Sequence, residues 1–246
     1  MKLKRHALLD ITDGARKDIL AELAGSGPDN VMLRERYAQV ILPELAGARI
    51  PGIVRREEGP LRSGCIPVGF SAPLASNEGR LRMATFVRKR DVVRTTSPYE
   101  LVALPISPPR NVCTRALDLA KNHAQGLNLT LGVWGSAALE LYTGLPCTHQ
   151  NSDLDLLVSI APREALSQFL LKIKAIEERL DLRVDVEIDL PDGYGVNLKE
   201  LFGQGRAVLG KSLADVAMLP REQILAELPQ EEPIQMLSRE ASGSHG

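Results

Sequence analysis

Two short stretches carry residue types that could work together chemically. Trp134-Gly135-Ser136 reads as a strand turning into a helix, and Ser152-Asp153-Leu154-Asp155-Leu156-Leu157-Val158 reads as a strand. Alternation along the second puts Asp153 and Asp155 on one face and Leu154, Leu156 and Val158 on the other. Same-face neighbours on a strand lie roughly 6–7 Å apart, so two short carboxylates can converge on one ion or bridge a pair. Hard oxygen donors favour Mg²⁺ or Mn²⁺ over Zn²⁺. Two acids so close are tolerated beside a cation or on an open, wet face. Gly135 lets backbone approach an anion, the Ser136 hydroxyl can donate to it, and amides at a helix start favour negative charge. Alone, Gly-Ser at a helix start is ordinary capping. Followed by the acidic strand, it suits metal-dependent phosphoryl or nucleotidyl transfer.

A third acid is available further on. In Leu182-Arg183-Val184-Asp185-Val186-Glu187-Ile188-Asp189, the valines and Ile188 face one way and the three acids the other. If this strand pairs beside the first, Asp185, nearest its centre, completes the site as a metal ligand or as the base for an attacking hydroxyl, with Glu187 in reserve. The competing reading is that all three acids form the wet face of a half-buried strand. His149 reads as an exposed loop residue, His123 as a surface residue, and Trp134 as a packing residue beside the turn.

The elements that must hold these residues fall into two groups. Before about residue 110, a helix over Asp13 to Ala24 stops at Gly25-Ser26-Gly27-Pro28, and a second spans Val31 to Leu42. From Gly47 to Pro109, short apolar runs broken by Pro and Gly predict strands and loops. This stretch holds Arg55, Arg56, Arg62, Arg80, Arg82, Arg88, Lys89, Arg90 and Arg94, which are either solvated strand faces or a surface for phosphates or an acidic protein. Ser107-Pro108-Pro109 reads as a boundary. Beyond it come a helix over Asn111 to Gln125, a strand over Leu127 to Val133 and a helix over Gly135 to Thr143. A strand over Asn151 to Ile160, a helix over Pro162 to Leu180 and the strand Leu182 to Leu190 follow, the last closed by Pro191-Asp192-Gly193. A helix over Leu198 to Phe202, a strand at Ala207 to Leu209 and a helix near Arg221 to Leu228 complete the pattern. The expectation is an α+β, mixed α/β fold: a smaller α/β accessory domain over 1–110, and a mixed sheet flanked by helices over 111–246, with a flexible tail from about 230.

Composition narrows the partners. With 44% hydrophobic and 25% charged residues the chain has the balance of a soluble globular protein. A net charge of −1 gives no bulk pull towards nucleic acid or membrane, and 4% aromatics argues against a base-stacking platform. No run approaches the roughly 18 apolar residues of a membrane span. The basic start, Met1 to His6, lacks the apolar run of a secretion signal. Cys65, Cys113 and Cys147 are odd in number and lack metal-ligand spacing, as expected of reduced thiols in a cytoplasmic protein.

Gly135-Ser136 with Asp153-Leu154-Asp155 resembles the polymerase-beta-like nucleotidyltransferase superfamily. More narrowly, Trp134-Gly135-Ser136, Leu141-Tyr142-Thr143-Gly144-Leu145 and Ser152 to Leu157 resemble the phosphoribosyl-dephospho-CoA transferases of malonate decarboxylase, also called holo-[acyl-carrier-protein] synthases. Arg5-His6, Val184-Asp185-Val186 and Pro191-x-Gly193 add to the likeness, which is closest over 130–195. Trp134 stands where the wider superfamily commonly has a second Gly. The resemblance implies a nucleotidyltransferase-like fold and Mg²⁺-dependent transfer of triphosphoribosyl-dephospho-CoA to a serine of an acyl carrier protein, with pyrophosphate leaving. It places the two catalytic aspartates at Asp153 and Asp155, and makes 1–110 the unit that recognises substrate or carrier. An NTP-dependent nucleotidyltransferase and a silent nucleotide-binding module are the rival readings; the silent one expects a missing acid, yet all are present.

Overall fold

The computed structural model describes residues 3–24, 35, 38, 41, 49–56, 59, 62–73, 80–105 and 108–230. The expected helix over Val31 to Leu42, the Gly25 to Pro28 stop, Ser107 of the expected boundary and the tail lie wholly or largely outside those residues. The first sheet is antiparallel and five-stranded: β1 (Leu8–Ile11), β2 (Gly52–Val54), β3 (Cys65–Pro73), β4 (Arg80–Arg88) and β5 (Val92–Thr96), in the order β4-β3-β2-β1-β5. Alternation drives it. Ile66, Val68 and Phe70 of β3 and Leu81, Met83 and Val87 of β4 are buried, beside Ala15, Ile19 and Leu20 of helix α1 (Asp13–Ala24). Arg16 is buried there too, its guanidinium donating to the carbonyls of Ile41 at 2.9 Å and Ile50 at 3.1 Å. Those bonds offset part of the cost of burying the charge, while its Nε has no hydrogen-bond partner among the described residues.

Two capped helices lead to the second sheet. Ser97 and Glu100 form a capping box on α2 (Pro98–Leu101), and Asn111 and Thr114 form another on α3 (Val112–Gly126). The sheet contains β6 (Leu131–Trp134), β7 (Leu154–Ser159), β8 (Val184–Asp189), β9 (Gly195–Asn197), β10 (Ala207–Lys211) and β11 (Val216–Pro220), in the order β11-β10-β9-β8-β7-β6. It is mixed: β7 and β8 run parallel, joined through α5 (Arg163–Leu180), and the other pairs are antiparallel. Helix α4 (Gly135–Thr143) follows β6 directly, and α6 (Leu198–Leu201) and α7 (Arg221–Glu227) complete the unit.

Leu154, Leu156 and Val158 of β7 and Val184, Val186 and Ile188 of β8 are fully buried, with Cys113, Ala116 and Leu117 of α3 and Leu166, Phe169 and Ile173 of α5 in the same core. One face of the sheet is thus committed to helices, and the acids occupy the other. Three strands were absent from the sequence reading. β1 and β9 are too short to show periodicity, and β11, an edge strand, has no buried residue to mark a face. The strand expected over 151–160 starts only at Leu154, because Ser152 closes a turn: its Oγ accepts from His149 N at 3.0 Å. The strand expected from Leu127 starts at Leu131, since α3 runs on to Gly126 and Asn128 turns the chain at φ 53°. Among the described residues no helix is long and apolar enough to cross a membrane.

Candidate active site

The site begins where β6 becomes α4. Trp134 caps the helix with extended backbone, and its side chain makes no capping bond. Gly135 follows at φ 67°, the left-handed region, with the Asp155 carboxylate where a Cβ would stand. Register explains the encounter: Trp134 lies directly opposite Asp155, and Asp155 lies directly opposite Asp185 on its other side. Asp155 is half-buried, and burial first, then the charges of Asp185, Asp153 and Glu187, push its carboxyl up to about 7, with Arg183 offsetting part of the effect. The structure therefore places Asp153, Asp185 and Glu187 around the Asp155 carboxyl.

They are not equivalent. Asp153 is exposed, just before β7, and its carbonyl accepts from the Cys113 thiol at 3.5 Å. That thiol is pushed up to about 12 by burial, then by Asp155, Glu140 and Asp153, which leaves it unreactive. The loop ahead of Asp153 is tied down by a fork from Arg110 to Glu140 at 3.2 and 2.9 Å. Thr148 donates to the same Glu140 from its amide and its hydroxyl, each at 2.6 Å. Asp185 pairs with Arg183 at 2.7 Å, and Asp189 accepts from the Tyr99 hydroxyl at 2.8 Å. Glu187, the reserve ligand, is buried and ion-paired to Arg5, with Lys211 Nζ at 3.7 Å and His6 Nε2 at 3.8 Å. Burial pushes its carboxyl up, but His6 and Arg5 outweigh that and hold it at about 2.

Arg5 and His6 reach this sheet from the opposite end of the chain. His6, at φ 62°, stacks its ring on Trp134 with centroids 3.8 Å apart. The Arg5 guanidinium lies where a side chain on Gly195 would be and also donates to the Lys211 carbonyl at 2.7 Å. Arg5 Nε, His6 Nε2 and Trp134 Nε1 are buried with no hydrogen-bond partner among the described residues. Burial, more than any neighbour, depresses the His6 imidazole, so the ring is neutral near pH 7. Only the Arg5-His6 motif hinted at this segment in the sequence; nothing marked Lys211. His149 is exposed, its Nδ1 accepting from Asn151 N at 3.2 Å, and stands outside the site.

A cavity of about 680 Å³ opens between the two sheets. Gly135, Ser136 and Asp155 form one wall and Arg55, Arg56 and Arg82 the facing one, with Arg5, His6 and Lys211 also lining it. Between them Ile53, Phe70, Met83 and Leu139 supply apolar surface. The basic segment noted from sequence is thus divided. Arg62 and Arg88 instead pair with Glu22 and Asp18 of α1, at 3.4 and 3.5 Å. A second cavity of about 710 Å³ adjoins Arg5 on the side of Tyr99, Asp189 and the Pro191 to Gly193 turn.

The donor set suits a hard divalent cation in kind. Asp153, Asp155 and Asp185 offer only carboxylate oxygen, and their mutual repulsion is what a cation relieves. In this conformation, among the described residues, no three acidic, His or Cys side chains stand close enough to ligate one ion together.

Comparison with known proteins adds the following. The family model described as phosphoribosyl-dephospho-CoA transferase MdcG N-terminal domain matches residues 4–98, and that of the MdcG C-terminal domain matches 101–222. A Xanthomonas axonopodis pv. citri protein named phosphoribosyl-dephospho-CoA transferase is 37% identical over 186 residues, 75% of this chain and 85% of that one. Proteins of the same name from Klebsiella pneumoniae and Bradyrhizobium diazoefficiens are 31% and 30% identical, over 67% and 65% of this chain and 78% and 70% of theirs. No solved structure matches.

Proposed function

Since this chain belongs to the phosphoribosyl-dephospho-CoA transferase family, we propose that it transfers the triphosphoribosyl-dephospho-CoA group to a serine of the acyl carrier protein of malonate decarboxylase. The observation that carries the reading is the shared cavity. Its Gly-Ser turn and Asp155 face three arginines from the other sheet, which suits a polyphosphate with a long organic arm.

In the reaction the serine oxygen attacks the phosphorus next to the ribose, a phosphodiester forms, the bond to the leaving pyrophosphate breaks, and the serine proton is taken up by a base. Asp153 and Asp155, with Asp185 beside them, would hold Mg²⁺ or Mn²⁺. When bound, the ion supplies charge neutralisation at the reacting phosphorus and helps the hydroxyl ionise. The left-handed turn at Gly135 brings backbone up to the carboxylates, and the α4 amides and Ser136 are placed to hold departing phosphate oxygens. Glu187 serves differently: it anchors Arg5 and so the segment whose His6 covers Trp134. The apolar wall at Phe70 and Met83 suits the pantetheine and adenine parts of the substrate. Cys113 and Cys147, buried as thiols and not as a disulfide, suit a reducing cytoplasm, where we place the reaction.

Incubation with Mg²⁺, triphosphoribosyl-dephospho-CoA and apo carrier protein, followed by intact mass of the carrier, tests the reading. The expected result is a mass gain equal to the substrate less pyrophosphate. Transfer of a nucleoside monophosphate from ATP to a small acceptor, with no gain on the carrier, would replace it.

A further inference from the structure

The sheet face that carries Asp155 and Glu187 continues past the cavity onto the β10–β11 hairpin. There Leu209 opposes Met218 and Lys211 opposes Val216, and alternation puts all four on that face. Leu209, Val216 and Met218 are 37%, 40% and 64% exposed, while Val208 and Gly210, pointing the other way, are buried. The other large apolar side chains exposed among the described residues, Val93 and Leu171, sit on β5 and α5, far apart in the fold order. Three such residues together on one hairpin are a patch, not scattered surface. Lys211 joins the patch to the cavity: its Nζ is 3.7 Å from Glu187, and it lines the same space as Asp155.

We propose that this hairpin face docks the acceptor protein, an acidic domain that presents apolar side chains ringed by carboxylates beside its serine. The proposal rests on the reading that the acceptor is a protein. Reach supports it. Strand spacing of about 4.8 Å and a rise of about 3.3 Å per residue put Leu209 and Met218 roughly 15–20 Å from Asp155. A standard interface covers about 800 Å² per partner, roughly 30 Å across, so one footprint spans both the patch and the cavity mouth. Charge supports it as well. Exposed Arg206 stands at one end of the patch and Lys211 and Arg56 at the cavity end. Two acids lie beside the patch: Asp215 of the intervening turn, which accepts from the hydroxyls of Tyr194 and Ser212 at 2.7 Å and lies near Arg56, and Glu200, whose carboxylate accepts from Leu209 N at 3.4 Å. Arg206, Lys211 and Arg56 outnumber these two acids, so the rim favours carboxylates on a partner.

The test is the double variant Val216→Glu/Met218→Glu, whose exposed positions leave the fold intact, checked by thermal unfolding. Carrier modification is followed by mass at varied carrier and saturating triphosphoribosyl-dephospho-CoA, and binding of dephospho-CoA by calorimetry. KM for the carrier should rise at least about tenfold, with kcat and dephospho-CoA affinity unchanged. The matched Val216→Lys/Met218→Lys variant should lose less, because it keeps the favourable charge. An unchanged KM in the glutamate variant overturns the proposal. So does sedimentation showing that the wild-type chain self-associates through this face and the variant does not, since a second copy would then be the occupant. A wild-type protein that binds dephospho-CoA yet modifies no carrier overturns the underlying reading, and the docking surface with it.

Discussion

The Arg5 guanidinium donates to the Glu187 carboxylate across 182 residues of sequence, and both side chains are nearly buried, 10% and 8% exposed. A buried carboxylate so paired belongs to the framework. It fixes the N-terminal segment onto the second sheet, and the acids proposed for chemistry are then Asp153, Asp155 and Asp185. The Tyr142 hydroxyl, donating to Asp10 at 2.5 Å, adds a second tie between the two sheets.

Glu187→Gln should therefore act mainly on stability. It strands a buried guanidinium, which costs about 3 kcal/mol and lowers Tm by several degrees at neutral pH. Because the folded carboxyl is held at about 2, below its ordinary 4.5, its contribution is present above the ordinary value and is lost as pH falls towards the folded one. The gap in Tm between wild type and variant should close below about pH 4 in thermal melts. A gap that stays constant down to pH 2 would detach Glu187 from this role.

Asp155→Asn should do the reverse. The folded carboxyl near 7 lies above its ordinary 3.8, so the folded chain keeps a proton that the unfolded chain has shed between those values. Stability falls as pH rises through that window and stays low above it. Asn carries no charge, so the variant should melt at the same or a higher temperature at pH 8, by roughly 2–5 °C, while transfer is lost. Mg²⁺ should raise the wild-type Tm and leave the variant unmoved. A variant that melts lower at pH 8 would show that Asp155 is held by favourable contacts.

Glycine substitutions separate strain from site. Gly135 and Gly144 have nearly the same backbone, φ 67° and 70°, but a Cβ at Gly144 meets nothing within 4 Å, whereas at Gly135 it meets Asp155. Gly144→Ala should cost about 1 kcal/mol and keep activity. Gly135→Ala should cost more and reduce transfer at least about a hundredfold, since the turn and the carboxylate must move apart. Equal losses of activity in the two variants would remove the special role of the Gly135–Asp155 contact.

Much of this site was legible from sequence because it depends on local pattern. Asp155 and Asp185 face the same way because each alternates with buried aliphatics, and Gly135-Ser136 marks a strand-to-helix turn. What alternation could not show is which neighbour each acid meets. Glu187 and Asp185 have the same pattern, and only the arrival of Arg5 from the far end of the chain separates them. Lys211 was invisible for the same reason, being set by pairing with the three-residue strand β9. The arginines of 55–94 divide by face and by partner, which composition averages away.

That division gives the last prediction. Arg82 lines the cavity opposite Ser136 and Asp155, whereas Arg88, six residues on in the same strand, pairs with Asp18 of α1 at 3.5 Å. A guanidinium on a phosphate forms charge-assisted bonds worth about 1.5–3 kcal/mol, so Arg82→Ala should weaken binding of the triphosphate substrate roughly ten- to hundredfold. Arg88→Ala removes an exposed pair worth at most about 1 kcal/mol and should leave binding unchanged. Calorimetric titration with triphosphoribosyl-dephospho-CoA and with pyrophosphate distinguishes the parts of the substrate: loss with both ligands places Arg82 on the leaving phosphates, and loss with the first alone places it on the organic arm. Equal affinity in wild type and Arg82→Ala for both ligands would show that the first sheet contributes shape to the cavity and no charge to the substrate.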